Sequence, residues 1–102
     1  MNAADLRTTR AHAKAGGMTL RQLEYFVQAA KIGSINRAAK TLLVAQSAMS
    51  RQLHLLEHEV GVALLIRTRT GIELTQDGRR FFAYSSRALE LLAQSRDVLG
   101  RT

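Results

Sequence analysis

No cysteine occurs in the sequence, so disulfides and thiolate metal sites are excluded. Nor does any apolar run approach the length of a membrane helix. The first residues carry no secretory hydrophobic stretch. These absences predict a soluble cytoplasmic protein with no membrane partner. Acidic residues are in the minority: eight Asp and Glu against fifteen Lys and Arg leave a net charge of +7. A basic excess favours an anionic partner, nucleic acid first. It is spread out, with +2 over residues 1–17, +2 over 18–78 and +3 over 79–102. Placement of the charges therefore says more than their sum. The chain of 102 residues, 46% of them hydrophobic, is long enough for one small domain with a thin core.

What is present centres on Ser34 to Leu56. This stretch reads as two short helices joined by a tight turn at Val44-Ala45, made without glycine. Ser34 or Asn36 caps the first, Ala38 and Ala39 allow close approach, and Leu42 and Leu43 turn inward. The second starts near Gln46. Its Met49, Leu53, Leu56 and Val60 recur at helical spacing as an apolar stripe. Ser47, Ser50, Arg51, His54 and His58 occupy the opposite side. That side has hydrogen-bonding groups, one fixed positive charge and no carboxylate, which suits the DNA major groove. The competing reading is an amphipathic surface helix whose polar side meets only water.

The flanks complete the pattern. Residues 1–17 read as a disordered extension or a translated upstream start, with Arg7, Arg10 and Lys14 as the only groups able to graze phosphate. Thr19 and Gln22 form a capping box for a helix whose buried stripe is Leu20, Leu23, Phe26, Val27 and Ala30. Gly33 ends that helix. After Gly61, Leu64–Arg67 and Ile72–Thr75 read as two short strands, with Gly71 as the positive-φ residue of their connection. Arg67 and Arg69 lie at the base and tip of this hairpin, where arginine fits a narrow, electronegative minor groove. Two solvated arginines are the alternative. Thr75 caps a long last helix. Phe81, Ser85, Ala88, Leu92, Ser95 and Leu99 mark a seam along it, widened by Phe82, Leu89 and Val98. That stripe is too broad for so small a domain to cover.

One stretch points elsewhere. His54-Leu55-Leu56-Glu57-His58 matches H-x-x-E-H, a zinc-protease signature. Both histidines share a helix face, as a metal site needs, but Glu57 lies about 100° from His58 around the helix. No third ligand is in view. Ser47, Ser50 and the histidines lack the orienting acid and oxyanion donors of a hydrolase. No cofactor and no catalytic residue are expected.

The stretch R-A-A-K-T-L-L-V-A-Q-S-A-M-S-R-Q-L-H-L-L-E-H-E-V-G resembles the helix-turn-helix of LysR-type bacterial transcriptional regulators. L-R-Q-L-E-Y-F-V before it and L-L-I-R-T-R-T-G-I-E-L-T-Q-D-G after it agree, so the resemblance covers Met18 to about Leu99. The most specific part is A-Q-x-x-x-S-R-Q with L-E three residues on. L-L-I-R-T-R-T-G with I-G-S also resembles the nitrogen-assimilation-control branch. The resemblance implies a mainly α protein with a small β-hairpin: a winged helix-turn-helix over residues 18–75 and a dimerising linker helix over 76–102. It implies sequence-specific binding of double-stranded DNA as a dimer on an interrupted dyad. It assigns base reading to Gln46, Ser47, Ser50 and Arg51, with Arg37, Gln52 and His54 on the backbone or in support. Gln pairs with adenine, Ser is permissive, and Arg serves guanine or phosphate. The same resemblance makes Phe81, Ser85, Ala88, Leu89, Leu92 and Leu99 a homodimer interface, the linker helix pairing antiparallel with its copy. A small-molecule effector would bind a larger domain beyond Thr102.

Two departures stand out. Many family members have Pro where this chain has Ser47. The family often places its wing arginine at the position of Thr70. Two other functions stay open: a winged helix used only for protein–protein contact, and a metal-dependent hydrolase.

Overall fold

The computed structural model describes residues 17–100; the extension expected over residues 1–17 lies, up to residue 16, outside the described residues. Thr19 starts the first helix, α1 (Leu20–Ile32). Its hydroxyl accepts from Gln22 N at 3.1 Å while Gln22 Oε1 accepts from Thr19 N at 3.0 Å, the reciprocal pairing of a capping box. Gly33, at φ 80°, closes α1. Ser34, not Asn36, caps α2 (Ile35–Leu42), its Oγ accepting from Arg37 N at 3.1 Å. Ala38 and Ala39 are buried where α2 meets its neighbours. The next helix, α3 (Gln46–Val60), starts without a side-chain cap and ends at Gly61.

β1 (Leu65–Arg67) pairs antiparallel with β2 (Ile72–Leu74), Leu65 facing Leu74 and Arg67 facing Ile72. Each strand is one residue shorter than expected, and the displaced Leu64 is buried just before β1. Gly71 has φ 156° and packs on the Gly33 carbonyl, leaving no room for a side chain. Ile72 N donates to that carbonyl at 3.0 Å. The hairpin is thereby pinned to the end of α1. Thr75 starts α4 (Gln76–Leu99). Its hydroxyl donates to Ala63 O at 2.7 Å and accepts from Gly78 N at 2.8 Å, and its N–H donates to Leu64 O at 3.0 Å.

The core gathers Phe26 of α1, Met49 and Leu56 of α3, and Leu64, all fully buried. Phe81 and Phe82 of α4 close it, their rings 5.4 and 6.4 Å from that of Phe26.

Three expectations are corrected. Leu20, the first residue of α1, is 53% exposed, beside Leu89 and Leu92 of the last helix. Leu43 does not turn inward: it is 91% exposed and left-handed at φ 59°. It terminates α2, donating to Lys40 O while Val44 N reaches Ala39 O, so the turn begins one residue before Val44. The seam of α4 is divided. Ser85 is buried, while Phe81 and Leu89 pack against the core, so these three serve the domain's own first helix. The exposed apolar face beyond them is carried by Tyr84, Leu91, Leu92, Val98 and Leu99. Tyr84 and Leu91 were not anticipated. Tyr84, Leu91 and Val98 recur every seven residues, as in a coiled-coil repeat.

Candidate nucleic-acid interface

Burial of Met49, Leu53 and Leu56 fixes which side of α3 faces outward. Gln46, Ser47, Arg51, His54 and His58 are exposed on that side and Ser50 is half-buried. No carboxylate interrupts the surface from Gln46 to His54. Arg37 is exposed on α2, and its carbonyl accepts from the Thr41 hydroxyl at 3.0 Å. The start of α3 has no side-chain cap, so its first backbone N–H groups and the positive end of the helix dipole lie beside Gln46 and Ser47.

Gln52 has a different setting from its neighbours. Its Oε1 accepts from Gln22 Nε2 at 2.9 Å, and Gln22 is itself 3% exposed. The capping residue of α1 thus holds the flank of α3 and fixes its rotation. Gln52 supports the surface from behind. Nothing in the local pattern around Gln22 signals this second bond, because the partners are 30 residues apart.

The hairpin supplies the rest. Glu57 Oε2 accepts from Leu64 N at 2.7 Å and Leu65 N at 3.1 Å. A carboxylate receiving two amides is a strong tie, and it binds the base of the wing to α3. This is also the carboxylate of the H-x-x-E-H stretch. It is committed to backbone amides, with His54 Nδ1 4.0 Å from its other oxygen. Among the described residues no three His, Asp or Glu side chains group as metal ligands.

The two hairpin arginines, placed by the sequence at the base and tip of the wing, differ in their surroundings. Arg69 lies exposed in the connection after β1. Arg67 turns toward α3, and its Nη2 donates to Ser50 Oγ at 2.8 Å. α3 therefore presents Gln46, Ser47, Ser50 and Arg51 on one side, with Arg67 bonded to Ser50; Arg37 is exposed on α2 and Arg69 on the hairpin. No described helix is long and apolar enough to cross a membrane.

The pattern of the bacterial regulatory helix-turn-helix proteins of the LysR family matches residues 20–79. The HTH-type transcriptional regulator TcbR of Pseudomonas sp. (strain P51) is 45% identical over 80 residues, 78% of this chain and 27% of TcbR. The probable cat1 operon transcriptional activator of Acinetobacter lwoffii is 47% identical over 77 residues, 76% of this chain and 25% of its own. The nitrogen assimilation regulatory protein nac of Klebsiella aerogenes is 40% identical over 78 residues, 76% of this chain and 26% of its own. Identity therefore does not set the nitrogen-assimilation branch apart. The chain spans about a quarter of the length of these relatives. Among solved structures, full-length CbnR complexed with its target DNA superimposes with TM-score 0.74 at 45% identity, covering 78% of this chain and 28% of CbnR. The complex of the BenM DNA-binding domain with catB site 1 DNA gives 0.80 at 36%, covering 82% and 93%.

Proposed function

Because the chain belongs to the LysR family of bacterial regulatory helix-turn-helix proteins, we propose that it binds double-stranded DNA sequence-specifically as part of a transcriptional regulator. Residues 18–75 form the docking unit and α4 (Gln76–Leu99) the pairing helix. The observation that carries this is the outward side of α3. Gln46, Ser47, Ser50 and Arg51 share it with no carboxylate among them, and the α3 N-terminus beside Gln46 has no side-chain cap. In this reading α3 lies in the major groove with those four side chains on base edges. Arg37 and His54 meet phosphates, and Gln52 holds the helix in register. Arg69 enters the adjacent minor groove, where a narrow A·T-rich groove concentrates negative potential. Ser47 offers a hydroxyl where many relatives have proline, so the preferred base there shifts toward hydrogen-bonded contact.

The protein acts as a homodimer through the exposed stripe of α4, in the cytoplasm where bacterial DNA lies. A binding role needs no catalysis and no cofactor. A small-molecule effector would act on a further domain, as the greater length of the relatives suggests.

Selection of bound duplexes from a random pool, followed by titration of the winner in rising salt, tests the proposal. A steep fall of affinity with salt and a defined dyad are expected. Gln46→Ala should then relax preference at one base pair by roughly 1–3 kcal/mol while binding to random duplex stays the same. Equal losses on selected and random duplex would remove Gln46 from the base-reading set. A protein that enriches no duplex is a protein-contact module instead.

A further inference from the structure

We infer that Arg67 sets the hydrogen-bonding polarity of Ser50, so that this serine reads only base edges that present acceptors. The inference rests on the proposal that Ser50 faces DNA bases. A serine hydroxyl has one donor and two acceptor lone pairs and rotates to suit its surroundings, which makes a lone serine a permissive reader. Ser50 is not alone. Arg67 Nη2 lies 2.8 Å from its Oγ, reaching across 17 residues of sequence. A guanidinium has five donors and no acceptor, so the direction of this bond is settled. Arg67 donates, Ser50 accepts, and one of the two lone pairs is occupied. The Ser50 hydroxyl has no other hydrogen bond among the described residues, so its proton is free to be given outward.

The charge acts in the same sense as the bond. A fixed positive group beside Oγ repels the amino hydrogens of adenine N6 and cytosine N4, which would have to donate to the remaining lone pair. It strengthens donation to guanine O6 and N7, adenine N7 or thymine O4. Exchange of G·C for C·G at the base pair under Ser50 should therefore be strongly disfavoured. The geometry needed is built into the domain. Arg67 closes β1, and β1 is held on α3 by the two amides that Glu57 accepts, from Leu64 and Leu65. Arg67 is a positioning residue in this scheme: it acts on the base through Ser50.

The test measures the affinity of the chain for its selected duplex and for every single base-pair substitution of it. Wild type, Ser50→Ala, Arg67→Met, Arg67→Lys and the Ser50→Ala, Arg67→Met pair are compared. Ser50→Ala and Arg67→Met should each flatten preference at the same one position, by about tenfold, a change of about 1.4 kcal/mol. The pair should add nothing, and Arg67→Lys, which keeps a charged donor, should retain most of the preference. Thermal midpoint should hold throughout, because Arg67 is exposed. An Arg67→Met variant that loses affinity equally on all duplexes, with a salt slope shallower by about one, would make Arg67 a phosphate contact and overturn the inference. So would a change in preference at a position that Ser50→Ala leaves untouched. If Ser50→Ala changes no position at all, the base-facing placement of Ser50 fails and the inference with it. That failure is recognised from the Ser50 variant alone.

Discussion

Leu43 shows how a single residue can be held against its own preference. A non-glycine residue in the left-handed region costs on the order of 1–3 kcal/mol, and Leu43 sits there with 91% of its surface exposed. Its side chain therefore returns little burial. The conformation is imposed by the turn, where Leu43 and Val44 must direct their N–H groups back to Lys40 and Ala39. Glycine reaches this conformation without strain but adds roughly 0.5–1 kcal/mol of unfolded-state freedom. The strain is the larger quantity, so Leu43→Gly should stabilise the domain by about 1 kcal/mol and raise its melting temperature by roughly 4–8 °C. A melting temperature below wild type would mean that Leu43 makes a contact its exposure conceals. Gln22 illustrates the opposite case, one residue with two duties. Its capping role is visible three residues from Thr19, while its bond to Gln52 depends on a helix crossing.

At the level of elements, one tight junction is between the start of α4 and the residues leading into β1. Gly78 lies in the first turn of α4 against the backbone carbonyl of Leu64, with Thr75 Oγ1 on its other side. A Cβ there would collide with backbone, which cannot rotate away as a side-chain tip can. Alanine is the better helix former by about 1 kcal/mol. Overpacking against fixed atoms costs roughly 1–3 kcal/mol, and here it also breaks the Thr75 bonds that join α4 to Ala63 and Leu64. The collision should win. Gly78→Ala is expected to lower the urea midpoint without changing the denaturant slope, since the surface exposed on unfolding is unaltered. An unchanged or higher midpoint would show that α4 can tilt freely away from the wing. The same junction explains why the hairpin is well placed although it is only two three-residue strands, too small to stand alone. It is fastened at Gly33 through Ile72, at Glu57 through Leu64 and Leu65, and at Thr75.

For the whole molecule, the far face of α4 is an apolar surface that the domain itself leaves exposed. Its 24 residues span about 36 Å. Phe81, Ser85 and Leu89 are used internally, and Leu91, Leu92 and Val98 stay exposed. A single small domain makes few base contacts, so tight binding of a dyad requires two half-site events to be linked. A second copy pairing along this stripe would supply that link. Leu92→Asp and Leu91→Asp each put a charge in the pairing surface while leaving the core around Phe26 intact. Each should sediment as a monomer, keep its helical circular dichroism signal from the first three helices, and bind the full dyad no better than a half-site. Dimers persisting in both variants would place the interface elsewhere on the molecule.

Much of this was legible from sequence because local rules decide it. The capping box at Thr19 and Gln22, the glycine stops at Gly33 and Gly61, the buried stripe of Met49, Leu53 and Leu56, and the Thr75 cap each depend on residues a few positions apart. The outward set on α3 followed, since burying one side of a helix determines the other. What only the tertiary structure decided involves partners distant in sequence. It includes the support of Gln52 by Gln22, the diversion of Arg67 from the wing to Ser50, and the use of Glu57 as a clasp. The division of α4 into an inner and an outer face belongs with them. A helical stripe states that a surface is apolar; it does not state which neighbour arrives, and α1 takes only part of this one. Charge and hydrogen-bonding groups behave alike. An arginine side chain is long enough to serve either of two elements, and the packing of β1 on α3 determines which one it meets.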